Sequence, residues 1–162
     1  MKILFKAIIA SVMMMSLSAQ AQVTGPMYSV NVGGIPLNCR SFAGEPVAIF
    51  LNPGLNNIGV ASRHNSGAPI IEINPNVINR YSSIVAQWWF AHECAHHAMT
   101  PAMNSENNAD CFAIRQLRQF GLLQNPTQLQ TFYYELSSLP GSSSGHLPGP
   151  ARVEHITRCA LY

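Results

Sequence analysis

The first half of the chain contains short apolar runs separated by glycine, proline and asparagine. Runs of this kind, rich in valine and isoleucine and bounded by turn residues, predict β-strands. Four such runs are MYSVNV at 27–32, VAIFL at 47–51, NIGVAS at 57–62 and PIIEIN at 69–74. The sequence therefore predicts several short strands in this half.

The second half changes to the periodicity of helices. Between residues 82 and 99 there is no glycine or proline, and apolar residues recur at helical spacing. These residues are Ile84, Val85, Trp88, Trp89, Ala91 and Ala95. Pro101 is expected to end this first long helix, because the residue before a proline is disfavoured in the helical conformation.

More helices are predicted after this one. Asn104 or Ser105 can cap a second helix, and Gly121 is a natural residue to end it. Further helices are predicted from about residue 126 to 137 and from 151 to 160. Strands followed by helices in this order predict an α+β fold.

The N-terminal segment has the pattern of a secretory signal peptide. Lys2 and Lys6 precede an apolar run at 7–17, and small residues follow up to Ala21. A membrane anchor is the alternative, but the run is shorter than the roughly 20 residues that span a bilayer. We expect a signal peptide at 1–21 and one domain at 22–162.

The charge of the predicted domain bears on which partners it can bind. Without its two lysines the domain has seven arginines and seven acidic residues, so its formal net charge is 0. A nucleic-acid partner would require a basic patch, and none is visible. We also expect no membrane span after removal of the signal. The sequence does not indicate an oligomeric state.

Four cysteines remain after the predicted cleavage: Cys39, Cys94, Cys111 and Cys159. An even number in an exported chain favours two disulfides, which fits a periplasmic or secreted location. Four buried free thiols are the alternative. Three pairings are possible, and the spacing does not choose among them.

The predicted first helix contains an HExxH pattern made by His92, Glu93 and His96. Two histidines at i and i+4 lie one turn apart on one face, so both rings can reach one metal ion. The adjacent glutamate can then act as general base toward a zinc-activated water. From this composition a chance HExxH has odds of roughly one in a hundred. The alternative is a solvated polar helix face.

The next helix offers matching carboxylates at Glu106 and Asp110. If the two helices run antiparallel across Pro101, Glu106 lies level with His96 and Asp110 level with His92. Glu106 would then be the third zinc ligand, and Asp110 would hold the second ring nitrogen of His92. The preference of helix N-termini for acidic residues explains the residue types but not this register.

These motifs resemble the gluzincin metallopeptidases, closest to the HtpX and CAAX-prenyl-protease type. The match consists of HExxH, the ExxAD pattern at 106–110, and the segment 144–148 around His146, with Arg152 six residues after that histidine. The metzincin pattern is excluded by Met99 and Ala102. The chain differs from that family in lacking its transmembrane helices and in the short spacing between His96 and Glu106.

The resemblance implies a minimal zincin-like domain with one Zn²⁺ per chain. It adds His146 as a catalytic residue that would stabilise the oxyanion, and Arg152 as a partner of Asp110 or Glu106. The function predicted is an exported metallopeptidase that acts on a peptide or protein, with PIIEIN as the strand edge that pairs with substrate. Two alternatives are a non-catalytic zinc-binding scaffold and a protein in which the disulfides alone matter. Of the other histidines, His97 is expected to pack or to form hydrogen bonds.

Overall fold

The computed structural model describes residues 22–142 and 145–159. The predicted signal peptide at 1–21 and Ser144 of the His146 segment lie outside the described residues. Five short strands form two sheets, and five helices follow them. The α+β prediction is therefore confirmed for the described part of the chain.

The strands are β1 (Val30–Val32), β2 (Ile35–Leu37), β3 (Ala48–Leu51), β4 (Gly59–Arg63) and β5 (Pro69–Ile73). Strands β1 and β2 form a hairpin across Gly33 and Gly34, which both adopt the positive φ angles that glycine tolerates. The other three strands form one sheet in the order β3-β5-β4. Strand β3 runs parallel to β5, and β4 runs antiparallel to it.

The order of this sheet corrects one prediction. PIIEIN was expected to be an edge strand, but it forms β5, which pairs with β3 on one side and with β4 on the other. Its alternate residues Pro69, Ile71 and Ile73 are buried, as expected of a central strand. In the described chain β4 pairs only with β5, so β4 is an edge strand of the sheet.

The helices are α1 (Pro75–Ile78), α2 (Ser83–Ala98), α3 (Glu106–Gln119), α4 (Pro126–Ser137) and α5 (Gly149–Cys159). Helix α2 begins at the cap Ser82, whose side chain accepts from the Val85 N–H, and it ends at Met99 just before Pro101. Ser105 is the cap of α3. The short α1 and strand β2 were not predicted, because neither contains enough residues to show a period.

Helix α2 lies at the centre of the molecule. It packs against α3, α4, β1, β4 and β5. Trp88 is fully buried and Trp89 nearly so, and both belong to the main hydrophobic core. Because α2 has protein on most sides, its polar residues His92 and Glu93 are buried as well.

Two disulfides fix the helices that carry the predicted site residues. Cys39 is bonded to Cys94 of α2, and Cys111 of α3 is bonded to Cys159 of α5. The Cα atoms of the two pairs are 5.6 and 5.3 Å apart. The prediction of two disulfides is confirmed, and the alternative of free thiols is wrong.

Among the helices that the structure describes, none is both long enough and apolar enough to cross a membrane.

The disulfides lead to a thiol prediction. Protein purified from an oxidising compartment and denatured without reductant is expected to take up no alkylating label. After reduction it is expected to take up four labels, one for each cysteine in the sequence. Intact mass before and after reduction measures both values. Labelling of Cys94 or Cys111 without reductant would contradict this result. Loss of either bond is expected to lower the free energy of unfolding by about 2–4 kcal/mol.

Candidate metal centre

The first part of the site is the face of α2 that carries His92 and His96. The two residues are one turn apart, and their Nε2 atoms lie 3.3 Å from each other. His92 is completely buried, whereas His96 keeps 17% of its side chain exposed. The pair therefore points from the core into an open cleft.

Helix α3 places two carboxylates opposite this pair. Oxygen Oε2 of Glu106 is 3.3 Å from His92 Nε2, and oxygen Oε1 is 3.4 Å from His96 Nε2. Asp110 Oδ1 is 2.8 Å from His92 Nδ1. Since residue 106 meets 96 and residue 110 meets 92, the two helices run antiparallel in the register that the sequence analysis assumed.

The spacing of these side chains fits a small metal ion. Ligands at about 2.0–2.1 Å from zinc stand about 3.3–3.4 Å apart at the corners of a tetrahedron. The two Nε2 atoms are 3.3 Å apart, and each of them lies 3.3 or 3.4 Å from a different oxygen of Glu106. One ligand atom from each of the three residues lies within 4.8 Å of the other two.

The outer nitrogens of both imidazoles have their own partners. His92 Nδ1 faces Asp110, although its N–H direction is not aligned for a linear hydrogen bond. His96 Nδ1 lies 2.7 Å from Asn104 Oδ1, and the amide group of Asn104 donates back to the His96 carbonyl. An acceptor beside each Nδ1 keeps the proton there, so each Nε2 presents a lone pair.

Two facing lone pairs and a carboxylate repel one another unless a cation lies between them. The electrostatics of the site favour positive charge in this position. Burial alone would lower the pKa of His92, but Asp110 and Glu106 outweigh it and raise that pKa. Burial would raise the pKa of Glu106, but the two histidines outweigh it and hold that pKa far below its usual range. These residues therefore favour a cation in this position and could hold a metal ion.

Arg152 of α5 lies behind the carboxylates. Its Nη2 is 3.4 Å from Glu106 Oε2, and its Nε is 3.7 Å from Asp110 Oδ2. The guanidinium is fully buried and stacks on Trp88 and Trp89, with its carbon 5.1 and 4.8 Å from the ring centroids. Arg152 thus offsets the negative charge of the carboxylates where water cannot.

This position predicts the effect of Arg152→Ala. Removing the cation leaves Asp110 buried without its ion-pair partner, so we expect a loss of about 3–5 kcal/mol in the free energy of unfolding. Zinc affinity is expected to fall by about 10- to 100-fold. Denaturant unfolding and a competitive zinc chelator measure the two effects. Arg158→Ala, which changes an exposed arginine on the same helix, is the control and should alter neither. A stable Arg152→Ala protein with unchanged zinc affinity would contradict the assignment.

Glu93 lies beside the histidine pair and is almost completely buried. Its Oε2 accepts the backbone N–H of Ala61 in β4 at 2.8 Å. Its Oε1 has no hydrogen-bond partner among the described residues. Burial raises the pKa of Glu93 above its usual value. One oxygen is therefore fixed by the edge strand, and the other is left as a proton acceptor.

Gly59 makes room for this glutamate. A Cβ atom at residue 59 would lie 3.2 Å from Glu93 Cγ and 3.2 Å from the Trp89 ring. The absence of a side chain at this residue lets the edge strand approach α2 closely. The sequence offered no signal for this contact, because Gly59 reads as an ordinary residue of a short strand.

His146 reaches the site from the loop before α5. Its Nε2 is 3.5 Å from Glu93 Oε1 and 3.9 Å from Glu106 Oε2. Its Nδ1 is 3.0 Å from Ser142 Oγ, and its ring packs edge-on against Trp89. Burial lowers the pKa of His146 to about 4, so the ring is neutral at pH 7.

An open cleft of about 400 Å³ leads to these residues. Strand β4 forms one wall with residues 60–63, and Met99 and Pro101 after α2 lie on another. Phe42 also lines the cleft, although 52% of its surface is exposed. A chain segment can therefore approach the candidate metal centre from solvent.

The remaining histidines and cysteines do not extend the centre. His97 lines the cleft, but its Nε2 contacts the Ile70 carbonyl at 2.8 Å. His155 lies near Cys111 and Cys159, and these three described side chains form another group close enough to hold a metal. Because those two cysteines form a disulfide, they offer no thiolate ligand.

Two further groups at this site are not predicted from the sequence. Asn104 is predicted only as a possible helix cap, yet it is the partner of His96. Its place in the turn just after the HExxH helix is a signal that could have pointed to it. The Ala61 backbone N–H carries no signal in the sequence at all.

Comparisons with known proteins give no relative for this arrangement: no protein family, no curated protein and no solved structure matches the chain.

Proposed function

We propose that this chain is an exported zinc-dependent metallopeptidase with a minimal gluzincin-type, zincin-like site. The observation that supports this most directly is the cluster of His92, His96 and Glu106, in which each Nε2 lies 3.3–3.4 Å from one Glu106 oxygen, next to the buried Glu93. The two disulfides and the signal-peptide pattern support export. A metal-binding scaffold would have no use for Glu93, one oxygen of which has no hydrogen bond in the described chain and lies 3.5 Å from His146.

In this proposal His92, His96 and Glu106 hold one Zn²⁺. When bound, zinc supplies Lewis-acid chemistry: it polarises the peptide carbonyl and makes water more acidic. Asp110 and Asn104 keep the two imidazoles in the tautomer that binds metal. Arg152 keeps Glu106 and Asp110 in place.

Glu93 carries the proton. Its Oε1 accepts a proton from the attacking water as the water oxygen bonds to the carbonyl carbon. The C–N bond then breaks, and the same carboxyl group gives this proton to the leaving amide nitrogen. The Ala61 N–H on Oε2 keeps the carboxylate at a fixed angle throughout. The raised pKa of Glu93 suits both the acceptor and the donor role.

Substrate is expected to bind along β4. An extended peptide can add to an exposed strand edge through main-chain hydrogen bonds. Strand β4 lines the cleft and reaches Glu93 through the Ala61 N–H, whereas β5 is paired on both edges. We therefore propose β4, in place of PIIEIN, as the strand that pairs with substrate.

His146 supplies a second stabiliser of the oxyanion in this proposal. Its Nε2 faces the space between Glu93 and Glu106, and Ser142 faces its other nitrogen. We expect His146→Ala to lower kcat by about 10²-fold, the scale for a lost oxyanion donor, with unchanged zinc content. Steady-state kinetics and metal analysis measure both. Ser142→Ala should have a smaller effect. Unchanged kcat in His146→Ala would remove this role.

Product analysis tests the proposed function. Purified protein is incubated with a mixed peptide library, and new termini are identified by mass spectrometry. Cleavage should stop with a chelator and return with added zinc, and it should be absent with Glu93→Gln protein. If zinc is bound tightly but no peptide is cut under any condition, the scaffold alternative replaces the proposal.

A further inference from the structure

The cleft has one charged side chain outside the candidate metal centre. Among the described residues that line it, Arg63 is the only lysine or arginine, and the two carboxylates belong to Glu93 and Glu106. With one Zn²⁺ bound, those two carboxylates are offset by the ion. Arg63 therefore sets the sign of the charge that an approaching peptide meets.

The pairing of β4 shows which backbone groups face the cleft. Because Ala61 donates its N–H to Glu93, it faces away from β5. Residues of an antiparallel pair alternate in direction, so Arg63, two residues further on, faces the same way. Because Glu93 already takes the Ala61 N–H, a strand that adds to this edge would pair at Arg63 and at the Ala61 carbonyl.

Side-chain direction gives the same placement. Alternate residues of a strand share a face, which puts Arg63 on the face of Gly59. That face meets α2, because a Cβ at Gly59 would touch Glu93 and Trp89. Arg63 lines the cleft together with His97 of α2. The guanidinium thus lies on the α2 side, where the cleft opens.

The Arg63 guanidinium has a hydrogen bond within the protein but keeps donors for a ligand. Its Nη1 donates to the Gly67 carbonyl in the β4–β5 turn at 2.8 Å. No carboxylate oxygen lies within 4 Å of it in the described part of the chain. Glu45 only shares a neighbouring shallow depression with it. Since arginine has five N–H donors, several remain for a ligand.

We propose that Arg63 is a specificity-determining residue that selects acidic peptides by binding a substrate carboxylate. The assignment rests on the proposed function of the site. A substrate antiparallel to β4 has its amino-terminal side at Arg63. Two residues of strand span about 6.6 Å. The carboxylate therefore belongs to the second or third residue on the amino side of the scissile bond.

The test uses matched peptides that differ only in Glu, Gln or Lys at these two positions. Wild-type protein is expected to show kcat/KM about three- to tenfold higher for Glu than for Gln, and lower again for Lys. The preference should shrink at high salt, because an exposed pair is screened. Arg63→Gln should abolish the preference, and Arg63→Glu should reverse it in favour of Lys.

Arg40 provides a matched control. It is also exposed and also donates its Nη1 to a turn glycine, Gly44, at 2.9 Å, but it does not line the cleft. Arg40→Glu should therefore leave the Glu-over-Lys preference unchanged. A purely structural role of Arg63 would lower the rates on all peptides together and would not reverse their order. Thermal unfolding verifies that both variants fold.

A binding measurement separates this inference from the proposed function. The affinity of the same peptides for zinc-loaded Glu93→Gln protein is measured by fluorescence anisotropy, with and without Arg63→Glu. If binding depends on peptide charge, Arg63→Glu reverses that dependence and wild type shows no turnover, the role of Arg63 stands and the proposed peptidase activity is wrong. If wild type cleaves peptides at rates that do not depend on their charge, the peptidase activity stands and the role of Arg63 is wrong. Peptides neither bound nor cut would overturn both.

Discussion

The double variant His92→Ala/His96→Ala is expected to contain no zinc and to have no measurable peptide hydrolysis. Purified wild-type protein should carry about one zinc per chain, because three ligands with supporting partners bind the ion tightly. Removing two of three ligands leaves Glu106 alone, and one carboxylate does not retain zinc through purification. Elemental analysis of the dialysed proteins measures the difference.

A stability measurement adds a second readout. A metal that binds only the folded state stabilises it by about 2.7 kcal/mol at a free concentration 100 times Kd. The Tm of wild type should therefore fall on chelation, whereas the Tm of the double variant should not respond. The control is His64→Ala/His155→Ala, which removes two histidines outside the centre and should keep one zinc. Full zinc occupancy in His92→Ala/His96→Ala would refute the metal centre.

Glu93→Gln is expected to keep zinc and fold while losing hydrolysis by about 10²-fold or more. Glutamine has nearly the same shape, and its oxygen can still accept the Ala61 N–H that now binds Oε2. The amide group cannot take a proton from water at Oε1. The loss should therefore appear in kcat, with little change in KM.

The matched control is Glu154→Gln on the exposed side of α5, where the carboxylate pairs only with Arg158. It should retain wild-type turnover. Turnover by Glu93→Gln at the wild-type rate would move the base to another residue. Loss of zinc in that variant would show instead that Glu93 supports the metal. The kinetics would then have to be measured again on zinc-saturated protein.

The strands show how much of the fold the local sequence predicts. The runs near 48–51, 59–63 and 69–73 are recognisable as strands, because their apolar residues alternate or are continuous as in a buried strand. Strand β2 has three residues and includes Pro36, so it has neither a period nor a favourable composition. Its strand conformation comes from pairing with β1.

The helices were predicted closely because their boundaries have local causes. Ser82, Ser105 and Asn125 cap α2, α3 and α4 through their own side chains. Helix α5 begins at Gly149, earlier than the predicted Ala151. Gly149 packs so tightly that a Cβ there would lie 2.1 Å from the Leu136 carbonyl oxygen, a contact with α4 that no local pattern shows.

The sequence by itself determined the inner part of the candidate site. Helix geometry puts residues four apart on one face, so HExxH brought His92 and His96 together, and the short turn at Pro101 set the register with Glu106 and Asp110. The even number of cysteines, together with the signal-peptide pattern, predicted the number of disulfides. These relations span one helix, one turn or a simple count, and they need no knowledge of the rest of the fold.

Only the tertiary structure decided the surroundings of the candidate site. Which cysteines pair, which strand forms the edge beside Glu93, and which residue faces His96 Nδ1 all depend on residues that meet across the fold. The Ala61 N–H reaches Glu93 because β4, rather than PIIEIN, is the edge strand there. Strand order is set by the joint packing of both sheets against α2, and the alternation within one strand does not encode it.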